Sequence, residues 1–385
     1  MPRIALATYD PGSEPHKDQD LPVLLDALCA AGAEADGVCW DDAEADWAGY
    51  DLVVLRSTWD YSWRAAEFMA WTERCGKVTR LANPAEVVRW NTDKRYLGDL
   101  AAAGVPVVPT SYLAPGDLAG VGVPGVPAPA PTPAPGGRAA SGVPVVPAPA
   151  PAPAPTPAPG GRAASGVPVV PAPAPAPALD DRAASGVPVV PAPHPTPGSS
   201  AAAPDNPRTP TPPHLPHDRE YVVKPTSGAG ARYAARYRPE EREAALRHLA
   251  RLRAEGLTAM VQPYMRGIDV GGERALQFFG GRLLHASRKR AVLAPGTAYD
   301  ADKVAHPGLE PWTPTPAELA VAESALAAVP GAREVLYARV DLVDGDAAGD
   351  VRVMELELVE PNLFLFLHPG SVTGVRDAIL AAARS

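Results

Sequence analysis

The sequence predicts an α/β protein that opens with a small doubly wound lobe and carries a disordered Pro/Ala-rich insertion. Three observations carry this expectation. Short apolar runs alternate with helix-length amphipathic stretches over residues 1–82, the pattern of a sheet covered by helices. The run DLVVLR at 51–56 has an uninterrupted apolar centre, as in a parallel strand buried on both faces. Of the 49 prolines, 31 lie between Pro115 and Pro216, which sets that tract apart from both flanks.

Residues 4–8 form the first strand; the apolar run is too short for a leader segment and Asp10 closes it. Residues 20–31, DLPVLLDALCAA, space Leu and Val as a helix does, begin acidic and stop at Gly32. Strands follow at 35–40 and 51–56, then a helix at 65–75. Ligands of doubly wound lobes gather beyond the C-terminal ends of the strands, and the segment RSTWDY, from Arg56 to Tyr61, lies at one such end. A second unit spans 83–114: residues 93–103 are helical by composition, Gly104 stops them, and VPVVPT is a short extended edge.

The tract at 115–217 alternates Ala with Pro, and the phrase RAASGVPVVPAP recurs from Arg138, Arg162 and Arg182. Its core copies Gly104 to Pro109, which points to duplication of a structural segment into a surface loop. Proline lacks an N–H and biases its neighbours to extended backbone, so a mobile polyproline-II-like state is expected. A tolerated insertion is preferred to a Pro-rich docking arm, because long surface loops cost little entropy.

The last segment, 218–385, contains strands at 221–224 and 259–264 with a helix at 239–255 between them. Strands at 274–279 and 282–288 pair around Gly280-Gly281. A helix at 315–328 opens on TPAE, the order a capped first turn favours. Strands at 335–343 and 351–359 flank DGDAAGD, and 372–383 is the final helix.

The net charge of −9 argues against nucleic acid or an anionic membrane as a partner. No apolar run approaches the roughly 18 residues of a spanning helix. Cys29, Cys39 and Cys75 have no metal-type spacing and read as buried thiols of a cytoplasmic protein. Nothing in the sequence indicates an oligomer.

The chemistry-bearing stretch is YVVKPTSGAGAR at 221–232. Lys224 precedes a loop of small residues, Thr226, Ser227, Gly228, Ala229 and Gly230, whose backbone N–H groups can approach phosphate oxygens closely. Asp341 lies on YARVDLV, and Glu355 and Glu357 lie two apart on VRVMELELVE, so both face one side of a strand. Same-side carboxylates opposite an apolar face need a cation between them. A solvated outer face is the alternative, and Glu360 with Asn362 is a second-ranked pair. The basic run from His285 to Arg290 offers Arg288 and Lys289 for a phosphoryl group or a substrate carboxylate, and Arg339 shares its strand face with Asp341. Gln262, Pro263, Tyr264 and Met265 end a strand as a candidate hinge against a purine, with Asp269 and Glu273 beyond as candidates for ribose or metal.

These pieces in this order resemble the ATP-grasp superfamily, in its glutathione-synthetase-like branch. VVLRSTWDY, WNTDKRYL, GVPVVPT, VVKPTSGAGAR and MELELVEPNLFL resemble, more narrowly, the actinobacterial subgroup that includes the cyclo-ligase forming D-cycloserine from O-ureidoserine. The resemblance implies an ATP-grasp fold and ATP-dependent ligation of a carboxylate to an amine through an acyl phosphate. A non-catalytic nucleotide-binding scaffold is the reading from a different class. The resemblance assigns Lys94, placed in the 93–103 helix, and Lys224 to the nucleotide phosphates, with the 227–230 loop as a lid. It assigns Gln262 to Met265 and Asp269 to the nucleoside, and Asp341, Glu355 and Glu357 to Mg²⁺, with Mn²⁺ as the alternative. Arg288, Lys289 and Arg339 steady developing charge, and RSTWDY is the candidate acceptor pocket for a small amino-acid-like substrate. Glu357 stands where the family more often has Asn.

Overall fold

β1 (Arg3–Thr8) and β3 (Leu52–Ser57) are buried along almost their whole length, and that burial places them at the centre of a parallel sheet. The computed structural model describes residues 1–10, 18–114, 215–299 and 308–385. Among them, α1 (Asp20–Ala30), β2 (Glu34–Cys39), α2 (Ala65–Val78) and β4 (Leu81–Ala82) complete the first lobe, with strand order β2-β1-β3-β4. All three pairings are parallel. Of the Pro/Ala insertion expected at 115–217, residues 115–214 lie outside the described residues, whereas Leu215 is buried beside Tyr221 and Val223, so the ordered chain resumes earlier than expected.

The helix expected at 93–103 is α4 (Tyr96–Ala102), which begins three residues later, and a further helix, α3 (Ala85–Asn91), precedes it. Between them Asp93 Oδ1 accepts the Arg95 N–H at 3.0 Å, a local turn that competes with the helical ladder. Lys94 therefore sits in a turn. The VPVVPT edge continues as expected: Val108 N–H donates to Val353 O at 3.0 Å, and Val353 N–H to Pro106 O at 2.8 Å.

β5 (Ser111–Leu113) joins a four-stranded antiparallel sheet of order β5-β8-β6-β7, built with β6 (Tyr221–Pro225), β7 (Ala235–Tyr237) and β8 (Ala259–Pro263). Residues before and after the insertion thus share one sheet, so the expected division between 83–114 and 218–385 is not a division of the fold. α5 (Arg242–Ala254) covers this sheet with Ala245, Leu249 and Leu252. The chain then passes through α6 (Gly267–Gly271) into a five-stranded antiparallel sheet of order β11-β10-β9-β12-β13. Its strands are β9 (Glu273–Phe279), β10 (Arg282–Lys289), β11 (Leu309–Trp312), β12 (Tyr337–Asp344) and β13 (Val351–Glu357). α7 (Pro316–Ala327) starts on the predicted cap: Thr315 Oγ1 accepts Glu318 N–H while the Glu318 carboxylate accepts Thr315 N–H. The last helix, α8 (Val372–Arg384), packs Val375, Ile379 and Leu380 into the core of the first lobe, beside Ile4 and Leu55. This crosses a second expected boundary. Cys75 is buried as expected, whereas Cys29 is exposed.

Asn83 ties the first lobe to the five-stranded sheet. Fully buried, it accepts Leu336 N–H at 2.7 Å and donates to Tyr337 O at 2.9 Å and Leu358 O at 2.7 Å. Asn83→Ala removes these bonds and strands buried backbone groups. The expected loss is about 2–4 kcal/mol in urea denaturation.

Candidate active site

Strand register assembles the site. In antiparallel neighbours, paired residues put their side chains on the same face. One row of the five-stranded sheet runs Ser287, Ala275, Asp341, Glu355, and the next runs His285, Gln277, Arg339, Glu357. Lys289 and Glu273 pair one step beyond the first row. The opposite face is apolar at Leu276, Ala286, Val340, Leu342 and Leu356, so it is buried and the polar face is free for chemistry.

On the polar face the carboxylates are matched by cations. Arg339 donates to both oxygens of Asp341 at 2.8 and 2.9 Å and also pairs with Glu357. Lys289 Nζ lies 2.6 Å from Asp341 Oδ2 and pairs with Glu273. Lys94 Nζ lies 3.2 Å from Glu355 Oε1 and donates to Gly228 O at 2.6 Å, bridging the carboxylates to the glycine loop. The Lys94 backbone N–H meets Thr226 O at 2.8 Å. Lys224 is half-buried on β6, in the electrostatic reach of Glu355, Lys94, Glu273 and Lys289. Lys94 therefore bonds Glu355 from the α3–α4 turn, and Lys224 acts on it electrostatically from β6.

Burial sets the protonation of these groups. Desolvation pulls Lys224 below the ordinary lysine range, and Glu355 only partly offsets it. Desolvation pushes Glu357 up to about 7 against the pull of Arg339, and Glu273 up to about 7 against the pull of Lys289. Desolvation also acts on Asp341, but Arg339 and Lys289 outweigh it and hold that carboxyl below its usual range. Glu360 is raised well above the ordinary range by burial, with Glu357 adding to it, and hydrogen-bonds Tyr61 of the RSTWDY segment. Asn362, its second-ranked companion, is exposed.

The glycine loop bends as its composition allows: Gly230 has φ +63, and Ala231 takes φ +60 just after it. Gln262 is buried and donates to Thr110 Oγ1 at 2.9 Å; Pro263 pairs with Tyr221. Tyr264 Oη donates to Asp269 Oδ1 at 2.6 Å, and Arg236 lies over the Tyr264 ring at 3.4 Å. Met265 packs on Val343 in a small core. This stretch is the passage from the four-stranded to the five-stranded sheet.

Arg288 is the exception among the expected charge-steadying residues. It pairs with Arg274 across β9, faces away from Asp341, binds Glu310 at 2.6 Å and lies 5.3 Å from the Trp312 ring. The period of two decides this: Lys289 on the polar face puts Arg288 on the other. Sequence reasoning passed over Gln277 altogether and did not separate His285 and Ser287 from their basic run. Their spacing of two from Lys289 was the available signal.

Asp341, Glu355 and Glu357 each offer one oxygen, all within 4.8 Å of one another. Three oxygen donors at that spacing fit a hard divalent cation. A lysine-bearing strand and glycine loop on one sheet, opposed to a carboxylate face on another, define an ATP-grasp ligase. The D-alanine–D-alanine ligase of Bacillus anthracis shares the fold, with a TM-score of 0.52 at 14% identity over 100% of this chain and 97% of that one. Residues 4–83 match the family model of the N-terminal domain of D-cycloserine synthetase DcsG. The chain is 33% identical to the cycloserine biosynthesis protein DcsG of Streptomyces lavendulae over 363 residues, covering 90% of this chain and 88% of the relative. The crystal structure of D-cycloserine synthetase DcsG aligns with a TM-score of 0.67 at 29% identity, over 99% of each chain. The chain belongs to the DcsG family of ATP-grasp ligases. It is an ATP-dependent ligase that forms C–N bonds. Among the described residues, no helix is long and apolar enough to cross a membrane.

The raised Glu357 carboxyl has a measurable consequence. Its pKa moves from 4.5 unfolded to about 7 folded, so between those values the folded state holds a proton that the unfolded state has lost. Ionising it costs stability as pH rises through that window. In cation-free buffer, Glu357→Gln should therefore gain stability relative to the parent from about pH 4.5 to 7, read by urea denaturation at each pH.

Proposed function

We propose that the chain activates the carboxylate of a small amino-acid-like substrate as an acyl phosphate and closes a nitrogen of the same molecule onto it. The observation that carries this reading is the convergence of Lys94, bonded to Glu355, and Lys224, in its electrostatic reach, on the cluster of Asp341, Glu355 and Glu357. The likeness to DcsG favours the intramolecular reaction over joining of two separate substrates. An O-ureidoserine-like molecule is the substrate class to test.

Lys94 and Lys224 hold the nucleotide phosphates, and the 227–230 loop closes over them and keeps water from the acyl phosphate. Asp341, Glu355 and Glu357 hold Mg²⁺, with Mn²⁺ as the substitute. When bound, the cation would supply charge neutralisation to the phosphate oxygens. Arg339 and Lys289, already on the same face, steady the charge that develops on the transferring group and on the acyl oxygen. The passage from Gln262 to Met265, with Asp269, receives the nucleoside. Tyr61, hydrogen-bonded to Glu360, brings the RSTWDY segment to the edge of the carboxylate cluster, where the acceptor pocket belongs.

Phosphoryl transfer depends on positioning and charge neutralisation, so loss of either side of that convergence should stop it. Lys224→Ala and Glu355→Ala are each expected to lower substrate-dependent ADP release by about 100-fold or more, with circular dichroism unchanged. Parental ADP release in both variants would remove the site assignment.

A further inference from the structure

Ser287, His285 and a histidine from the segment after β13 form a polar cluster on the carboxylate face that the reaction described so far does not use. Ser287 shares a row with Asp341, separated from it along the row only by the methyl group of Ala275. His285 shares the next row with Arg339, across Gln277. His285 Nε2 lies 2.7 Å from Leu363 O; a carbonyl only accepts, so this nitrogen carries the ring proton. The His368 ring stacks on His285 at 4.2 Å and 18°. Its Nε2 lies 2.9 Å from Ser287 Oγ. Two contacts thus fix the imidazole in position and in plane. Its other nitrogen, Nδ1, has no partner among the described residues and is not sealed from solvent, unlike His285 Nδ1, which is shut in. Desolvation lowers the pKa of His368, so the ring is neutral where an amine or ureido nitrogen is reactive.

Ligation needs a proton acceptor at this place. The carboxylates of the face are engaged by Lys94, Lys289 and Arg339 or are needed for the cation, and Glu360 retains its own proton beside Glu357.

We propose that His368 Nδ1 accepts the proton that the nitrogen nucleophile loses as it attacks the acyl phosphate, with Ser287 and His285 as the residues that position it. The nitrogen lone pair forms the C–N bond and the C–O bond to phosphate breaks. Phosphate leaves with that electron pair, and the N–H proton passes to Nδ1 and then to solvent. This inference rests on the ligase reading above and concerns its second half only.

The test separates the two halves. The full-length enzyme is given O-ureidoserine, ATP and Mg²⁺, with and without hydroxylamine, which is uncharged at neutral pH and traps an acyl phosphate without a base. The parent should form the cyclised product alone and the hydroxamate when hydroxylamine is present. His368→Gln should lose cyclised product by about 100-fold, the scale of general-base catalysis, while hydroxamate formation and ATP binding are retained. Ser287→Ala, which leaves the imidazole in place but unanchored, should lose less. Parental cyclisation in His368→Gln overturns the proposal. So does equal loss of both products in a variant that still binds ATP, because that marks a structural role. A parent that forms neither product overturns the cyclo-ligase reading itself, and the proposal with it.

Discussion

Charge compensation across the gap between two antiparallel sheets is the constraint on which this molecule depends. Asp341 is fully buried, and Glu273, Glu355 and Glu357 are largely withdrawn from water beside it. Each ion so buried costs several kcal/mol unless an opposite charge meets it with good geometry. The compensating cations come from four places: Lys289 on β10, Arg339 on β12, Lys94 in the α3–α4 turn and Lys224 on β6. Only the folded arrangement of both sheets supplies them together. The same feature prepares the site for its ligands. Under the proposed assignment, a divalent cation among the carboxylates would take over the charge that Lys94 now balances, leaving the Lys94 ammonium, already bonded to Gly228 O, for phosphate.

The first lobe belongs to the site as much as the two sheets do. Asp20, at the start of α1, accepts Leu363 N–H at 3.1 Å and Leu365 N–H at 2.9 Å. Arg56 donates to Pro361 O at 3.1 Å from the end of β3 and lies 3.6 Å from Asp18. These contacts hold the segment that runs from Glu360 to His368 across the end of the polar face. α8 then returns into the lobe and fixes the far end of that segment. A doubly wound lobe offers the C-terminal ends of its strands to ligands. Here that edge is spent on holding the loop that follows β13.

What was legible in the sequence follows from periodicity. β3, α1, α7 and the β9–β10 hairpin declare themselves by apolar runs, helical spacing, a capping box and a Gly-Gly turn. β7, with only Ala235, Arg236 and Tyr237, is too short to show a period, and β11 contains Pro311, which argues against a strand until its edge position is known. Asp341, Glu355 and Glu357 were legible because spacing of two on an apolar strand leaves one polar face. Arg288 failed by the same rule, since adjacency to Lys289 in sequence means opposition in space. Cross-sheet partners such as Lys94 with Glu355, or Ser287 with His368, leave no local pattern, because register and the approach of the two sheets are decided by the whole fold.

Glu357 ties more than one property of the site together. An amide at this position would offer a cation an oxygen without bringing charge. A carboxylate brings a charge that must be balanced, and Arg339 is the group that balances it while also gripping Asp341. With no cation to share the load, burial raises Glu357 to about 7, so near neutrality the side chain divides its time between proton and Arg339. Under the proposed assignment a divalent cation would bind the deprotonated form, so binding would displace the residual proton and affinity would strengthen as pH rises through that range. On that assignment the carboxylate would link cation loading to proton release.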